Sequence, residues 1–336
     1  MQDPSPTLAT VAKLANVSVA SASRVINGIK TNPETMQRVR EAAEAVGYVP
    51  NAAARSLRSR RTGQIAFAMP DVSNPVYTSM VGSIAQVARA KGSRLILHST
   101  DGDVADELGF LEDLKQRYVD GLILVSLEFT ERHAEAVENA AVPVVVIGNP
   151  RKGVKVDTVR PNSRRGAADA VRHLYEQGRR RIALVNGPER TAPGSKRKLG
   201  YLDALRACGL PRDESLIEVA DEFSIGAGAI AVGRLLPRAK PDAIFCANDL
   251  LALGALSALR AAGKMVPDDV AVVGMDNTSL SEVTSPPLTT VDLGSAERAR
   301  LAAELLLARI EHPNRRQRSI DVDPRLVIRE SCGAGA

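Results

Sequence analysis

Cysteine is scarce and poorly placed for either of its usual structural uses. The 336 residues hold three, Cys208, Cys246 and Cys332, odd in number and scattered, which excludes a disulfide framework and lacks zinc-ligand spacing. The four histidines, His98, His133, His173 and His312, are equally isolated. No metal site and no cofactor is expected. No apolar run reaches the roughly 18 residues of a membrane span, and the opening MQDPSPTLAT lacks a basic-then-apolar secretion signal. A cytoplasmic location with no membrane partner is therefore expected. Catalytic signatures are missing too. GPERTAPGSK has the wrong spacing for a phosphate loop, and GAG at 226–228 lacks a third glycine and follows no convincing strand. There is no G-x-S-x-G elbow and no credible pair of carboxylates. An enzyme is not expected.

What is present is unevenly charged. Residues 1–61 hold nine of the 44 Lys/Arg and four of the 39 Asp/Glu, leaving 35 of each sign for residues 62–336. The whole net charge of +5 thus sits on the first fifth of the chain. A short basic module on a neutral body is the footprint of a polyanion binder, or else a solvated basic arm. With 44% hydrophobic and 25% charged residues, the remainder can bury a core, and the length exceeds one compact domain.

The basic segment is built of short helices. LATVAKLA at 8–15 places Leu8, Val11, Ala12, Leu14 and Ala15 on one side of a helix. Asn16 suits a left-handed turn, Val17 a corner plug and Ser18 an N-cap for a second helix, 19–26. Asn32, Pro33 and Glu34 start a third helix, which runs to about Val46 with Val39, Ala43 and Val46 inward and stops at Gly47. This is a helix-turn-helix or a generic three-helix bundle. The second helix presents Val19, Ala20, Ser23 and Arg24, small apolar groups and a long donor of the kind a major groove accepts.

Beyond serine, arginine, threonine and glycine at 59–63, apolar strands alternate with helices. Strands are expected at 65–69, 94–98, 121–125, 144–148, 181–185, 242–246 and 270–274, all buried on both faces. Helices are expected at 77–91, 104–117, 162–177, 196–208, 249–262 and 295–311. The start at Gln64 resembles that at Arg181, so two similar doubly wound α/β lobes should face each other across a cleft, with ligands beyond the strand carboxyl ends. Residues 1–6 and about 331–336 are expected to be disordered.

TLATVAKLANVSVASASRVING and GYVPNAAARSLRS resemble the DNA-binding and hinge segments of the LacI–GalR family of transcription regulators. Asn16 departs from the usual glycine. MPDVSNPVY, HLYEQGRRRIALVNGP, PDAIFCANDLLALGAL and VPDDVAVVGMDN are similar to its sensor domains, and the sheet core resembles periplasmic sugar-binding proteins. The resemblance implies an all-α helix-turn-helix domain at 7–49, a hinge helix and linker at 50–61, and a two-lobed effector-binding and dimerisation domain at 62–336. The N-lobe would take about 62–160 and 292–320, the C-lobe about 161–291 and 321–330.

It also implies site residues. Val19, Ala20, Ser23 and Arg24 would face bases, and Thr7, Ser18, Asn27, Asn32 and Thr35 phosphates. Asn51, Ala53, Ala54, Leu57 and Arg58 would line the minor groove, with Leu57 as a wedge at a central CpG step. A purely structural reading makes Leu57 a linker residue packed on the body. Val19-Ala20 points to the galactose- and maltose-repressor-like branch and a palindromic double-stranded operator bound by a homodimer or tetramer. Asp71, Asn74, Tyr77, Ser126, Arg197, Phe223, Asn248 and Asp276 would hold a sugar-like effector, while Asp249 and Asn277 would be structural. Gly148 and Leu293 stand where relatives supply polar groups. Arg190, Lys196, Arg197 and Lys198 suit an anionic effector or a solvated helix start. Two alternatives remain: a protein corepressor on the sensor, or a sugar-binding transport protein.

Overall fold

A computed structural model of the chain describes residues 6–49 and 61–334. It divides into two units, Met1–Thr62 and Gly63–Ala336, each with its own core. In the first, helices α1 (Leu8–Leu14), α2 (Val19–Ile26) and α3 (Pro33–Ala45) bury Val11, Ala12, Ala15, Ala22, Val25, Val39 and Ala42 together. Each helix starts on a side-chain cap. Thr7, Ser18 and Asn32 accept from the backbone N–H of Thr10, Ser21 and Glu34. Asn16 makes the turn at φ 49° and Gly47 ends the unit's last helix at φ 61°. Leu14 is 56% exposed, because it lies roughly 100° round the helix from the Val11–Ala12–Ala15 stripe.

The second unit holds two six-stranded sheets. The first contains β1 (Gln64–Met69), β2 (Arg94–Ser99), β3 (Leu122–Leu124), β4 (Val144–Ile147), β5 (Asp157–Pro161) and β11 (Ser319–Val322), ordered β11-β5-β4-β3-β1-β2 and parallel throughout. The other contains β6 (Ile182–Asn186), β7 (Ile217–Val219), β8 (Ala243–Cys246), β9 (Ala271–Met275), β10 (Thr289–Asp292) and β12 (Arg325–Val327), ordered β12-β10-β9-β8-β6-β7 with only β12 antiparallel. The two orders correspond strand for strand, so the repeat faint in the sequence is explicit in topology. Phe67 lies between Leu97 and Ile123 as Leu184 lies between Ile217 and Phe245.

Helices α4 (Pro75–Ala90), α5 (Val104–Asp113), α6 (Glu131–Glu138) and α12 (Ser295–Glu311) cover the first sheet. Helices α7 (Ser163–Glu176), α8 (Ala192–Ala207), α9 (Ile225–Ala239) and α10 (Asp249–Ala261) cover the second, beside the short α11 (Leu280–Val283). No helix among the described residues is long and apolar enough to cross a membrane.

All seven expected strands form, but β2 is an edge strand and is not buried on both faces: Leu97 is 44% exposed. Strands β5, β7, β10, β11 and β12 and helices α6 and α9 were not anticipated. They are short, polar or glycine-bearing, and tertiary pairing overrides weak local preference. GAG at 226–228 lies inside α9, where a Cβ on Gly228 would meet Leu251 O of α10 at 2.4 Å. Residues 331–334 are ordered where disorder was expected, and residues 335–336 lie outside the described residues. Ser331 and Cys332 are fully buried, and Ser331 Oγ donates to Val272 O and accepts from Thr289 N–H.

The chain crosses between lobes three times, after Pro161, after Asp292 and after Val322. Gly294 makes the second crossing at φ 66°, and a Cβ there would stand 2.7 Å from Val322 Cγ1 at the third. Beneath the C-lobe strand ends, Asp249 accepts from Thr278 N–H at 2.7 Å, Thr278 Oγ1 at 3.0 Å and Thr290 Oγ1 at 2.5 Å, tying α10 to β10. Burial, reinforced by the Asp276 carboxylate, pushes its pKa up to about 7 despite these donors.

Two outcomes follow from this packing. Gly294→Ala should lower the unfolding free energy by about 2 kcal/mol in urea melts, from left-handed backbone strain plus the overlap with Val322. From about pH 4 to about pH 7 the folded chain holds a proton on Asp249 that the unfolded chain has released, so this group's stabilisation is lost as pH rises. Asp249→Asn should flatten the fall in stability over that window relative to the wild type, as read by urea melts at each pH.

Candidate functional site

The first candidate is the outward face of the N-terminal unit. Val19, Ala20 and Arg24 are exposed on one side of α2, Val19 by 49%. Ser23 does not join them. It is 9% exposed, and Asn27 Nδ2 donates to its O at 2.7 Å and its Oγ at 3.3 Å, so this pair closes the end of α2. Thr7, Ser18 and Asn32 stand at three helix N-termini, where free N–H groups and the helix dipole favour an anion. Thr35 is half-buried in the first turn of α3. Asn51, Ala53, Ala54, Leu57 and Arg58 lie outside the described residues.

The second candidate is a cavity of about 390 Å³ between the two lobes, at the carboxyl ends of both parallel sheets. It brings together all eight residues expected to meet an effector. Asp71 and Asn74 follow β1, Ser126 follows β3, Phe223 follows β7, Asn248 follows β8 and Asp276 follows β9, while Tyr77 projects from α4 and Arg197 from α8. Asn74 and Asn248 cap α4 and α10 through their side-chain oxygens, which leaves each amide nitrogen for the cavity. Ser126 Oγ is buried without a hydrogen-bond partner.

The R-x-x-G-Y stretch shows how sequence places a charge. Tyr201 is fully buried and donates to Ile182 O at 2.9 Å, anchoring α8 to β6. Gly200 lets α8 approach α7; a Cβ there would lie 2.1 Å from Arg164 O. Arg197, one turn earlier, then reaches the floor of the cavity. It donates to Ala247 O and, at 3.1 Å, to Asp276 Oδ1, and its Nε is buried without a partner. Its guanidinium stands 5.8 Å from the Phe223 ring centroid. Phe223 in turn occupies space that only a glycine at 187 leaves free, since a Cβ there would meet its ring at 2.2 Å. The expected helix at 196–208 begins four residues earlier, at Ala192, because Thr191 caps it and Pro193 sits in its first turn.

Arg298 was missed by sequence reasoning. It is 6% exposed, lines the cavity from α12, and its Nε donates to Leu293 O at 3.0 Å. The available signal was a charge four residues before Ala302, on the buried stripe of that helix. Burial lowers the Arg298 pKa to about 10, with Asp276 opposing the shift, so it stays charged at neutral pH. Burial raises the Asp276 pKa against the pull of Arg197 and Arg298. Burial first, then Asp276, drives the Tyr77 hydroxyl upward, keeping it a neutral donor. Asp276 also holds φ 112°, a backbone conformation costing on the order of 1–3 kcal/mol for a non-glycine residue. Leu293 and Gly148 line the cavity without polar side chains, so Arg298 is a polar group at a wall where Leu293 offers none.

The expected basic cluster disperses. Lys198 pairs with Glu189 at 2.6 Å, exposed Arg190 lies 3.7 Å from Glu128, and Lys196 faces solvent. Of the four, only Arg197 turns its charge to the floor. One hydrogen bond joins the lobes at the cavity rim, Ala192 N–H to Leu127 O at 2.8 Å. The loop carrying Leu127 ends at Thr130, whose N–H donates to His133 Nδ1 at 3.2 Å. The other ring nitrogen, Nε2, faces the buried Glu107 at 2.8 Å, in contact though poorly aligned for a hydrogen bond. No group of three or more His, Cys, Asp or Glu among the described residues could hold a metal ion.

Comparison with known proteins bears on both segments of the chain. Residues 7–51 match the model for bacterial regulatory proteins of the lacI family, and residues 171–332 match that for a periplasmic binding protein-like domain. The chain is 36% identical to the HTH-type transcriptional regulator DegA of Bacillus subtilis, covering 97% of each chain. Its fold is similar to a transcriptional regulator CelR–cellobiose complex (TM-score 0.74, 34% identity, 97% of this chain and 99% of that one). It is also similar to the lac repressor dimer bound to operator and the anti-inducer ONPF (TM-score 0.87, 25% identity, 97% and 99%). A transport-protein reading leaves residues 7–51 without a role. A helix-turn-helix segment, two matching α/β lobes and end-to-end similarity to such regulators together place the chain in the LacI family of bacterial transcriptional regulators, a family of DNA-binding proteins and not of enzymes.

Proposed function

We propose that the chain represses genes of carbohydrate uptake or breakdown by binding a palindromic operator as a homodimer, and that a sugar in the interlobe cavity sets its affinity for that operator. The observation that carries the sugar reading is the cavity floor. Buried Arg197, Asp276 and Arg298, the free amide nitrogens of Asn74 and Asn248 and the unpartnered Ser126 Oγ stand beside the rings of Phe223 and Tyr77. Alternating donors and acceptors next to apolar faces suit a molecule whose hydroxyls both donate and accept. Asp71 adds a further acceptor. The CelR structure holds cellobiose in a protein of the same fold.

On DNA, Val19, Ala20 and Arg24 meet base edges in the major groove, while Thr7, Ser18, Asn27, Asn32 and Thr35 hold phosphates. Asn51, Ala53, Ala54, Leu57 and Arg58 enter the minor groove, and Leu57 unstacks a central CpG step. The +5 charge of residues 1–61 supplies the salt-dependent part of the affinity. Regulation is linkage: the sugar favours one arrangement of the lobes, that arrangement grips operator differently, and the two affinities shift together.

Gel shifts on a CpG-centred palindrome test the DNA half. Wild type should bind it well above random duplex at physiological salt, and Leu57→Ala should lose about tenfold or more, in line with the few kcal/mol at stake in unstacking. Equal binding by both proteins removes Leu57 from the mechanism. Thermal shift against a panel of sugars tests the cavity. The melting temperature should climb with the concentration of a bound sugar, and Phe223→Ala should weaken that response. Silence across the panel favours a protein corepressor instead.

A further inference from the structure

The charge of the cavity is arranged in two tiers. Six carboxylates and three guanidiniums line it. At the floor, buried Asp276 and half-buried Asp71 stand with buried Arg197 and Arg298, two acids and two bases, so the inner charges balance. Arg197 is committed to Asp276 and Ala247 O, and Arg298 shares the field of the same Asp276. At the mouth, Asp101, Asp221 and Glu222 are exposed, Glu128 is half-exposed, and Arg190 stands alone against them, already held at 3.7 Å by Glu128. These acids come from both lobes: Asp101 and Glu128 follow β2 and β3, Asp221 and Glu222 follow β7.

We propose that the cleft admits an uncharged or amino-bearing sugar and rejects sugar phosphates and sugar acids, with Asp101, Glu128, Asp221 and Glu222 as the specificity-determining residues. This deepens the sugar reading given above and rests on it. The unpartnered buried atoms, Ser126 Oγ and Arg197 Nε, show that the floor is built to take polar groups of a ligand. Hydroxyls satisfy such a balanced floor without bringing charge. A phosphate monoester brings about −1.5 to −2 charges at neutral pH. It would have to pass or rest between four carboxylates with one engaged arginine in reach. A cleft mouth lined by one sign of charge focuses its field inward, over a Debye length of about 8 Å at physiological salt. An amine at the outer end of the sugar meets the opposite effect.

The test uses the full-length protein and matched probes: glucose, glucosamine, glucose 6-phosphate and gluconate, with cellobiose and its 6-phosphate as the longer pair. Binding is read by thermal shift and calorimetry at low and physiological ionic strength. The expected result is stabilisation by a neutral or amino sugar, with the phosphorylated partner weaker by about tenfold or more at low salt and the gap narrowing as salt rises. The double variant Asp221→Lys, Glu222→Lys, at two exposed positions, should narrow the gap further. Addition of salt to the wild type gives an independent reading if that variant folds poorly. A 6-phosphate or gluconate that binds as tightly as its neutral parent overturns the charge selection and leaves the sugar reading standing. So does a gap that responds to neither salt nor charge reversal. Silence in every arm, with operator binding intact, overturns the sugar reading and this inference with it.

Discussion

Three charged side chains buried at the meeting of two lobes set the terms for the rest of the sensor. Arg197, Asp276 and Arg298 are each less than a tenth exposed. Taking such charges out of water is expensive, and only mutual attraction and well-made hydrogen bonds offset it. Here the offset is incomplete, since Arg197 Nε has no partner and Asp276 sits in a strained backbone conformation. A folded protein keeps such a cluster only where surrounding structure holds it firmly, and where something else supplies the missing contacts. Two stacks of buried parallel strands supply the first. On the sugar reading proposed above, a bound polyhydroxy ligand supplies the second.

That requirement explains features that otherwise look unrelated. Glycines occur where a helix or ring must come close enough to aim a side chain inward: Gly200 under α8, Gly187 under Phe223, Gly228 between α9 and α10. Helix caps at Asn74, Thr191 and Asn248 use one end of a polar side chain and leave backbone starts pointing at the cavity. An inter-lobe hydrogen bond at the rim, Ala192 N–H to Leu127 O, comes from a loop fixed by Thr130, His133 and Glu107. Three chain crossings join the lobes beside the cavity, and at one of them Gly294 packs so close to Val322 that a Cβ would overlap it.

Much of this could be read from the amino-acid sequence. Continuous apolar runs located seven strands, six inner ones and the edge strand β2, and the caps at Ser18 and Asn32 located α2 and α3, because apolar runs and capping chemistry are local signals. The family resemblance then pointed to eight residues that line the cavity, six of them following strand ends. Most of what escaped had no local signal. Strands β5, β10, β11 and β12 exist because of their neighbours across the lobe crossings. Ser23 looked outward by composition, yet packing and Asn27 turn it in. Arg298 lay inside a helix whose sequence reads as an ordinary solvated face, and its meaning depends on Asp276, 22 residues away. Of the two readings of the basic cluster, the solvated helix start fits, since Arg190 and Lys198 pair with Glu128 and Glu189 and Lys196 faces solvent.

The central claim is that ligand in the cleft and operator on the N-terminal unit influence each other. Calorimetric titration of the best-bound sugar into the full-length protein, once free and once saturated with its operator duplex, tests it directly. Linkage predicts two different dissociation constants, apart by a factor in the range of about 5–150, and the same factor between operator affinities measured with and without saturating sugar. Identical sugar dissociation constants in the two titrations would contradict the account.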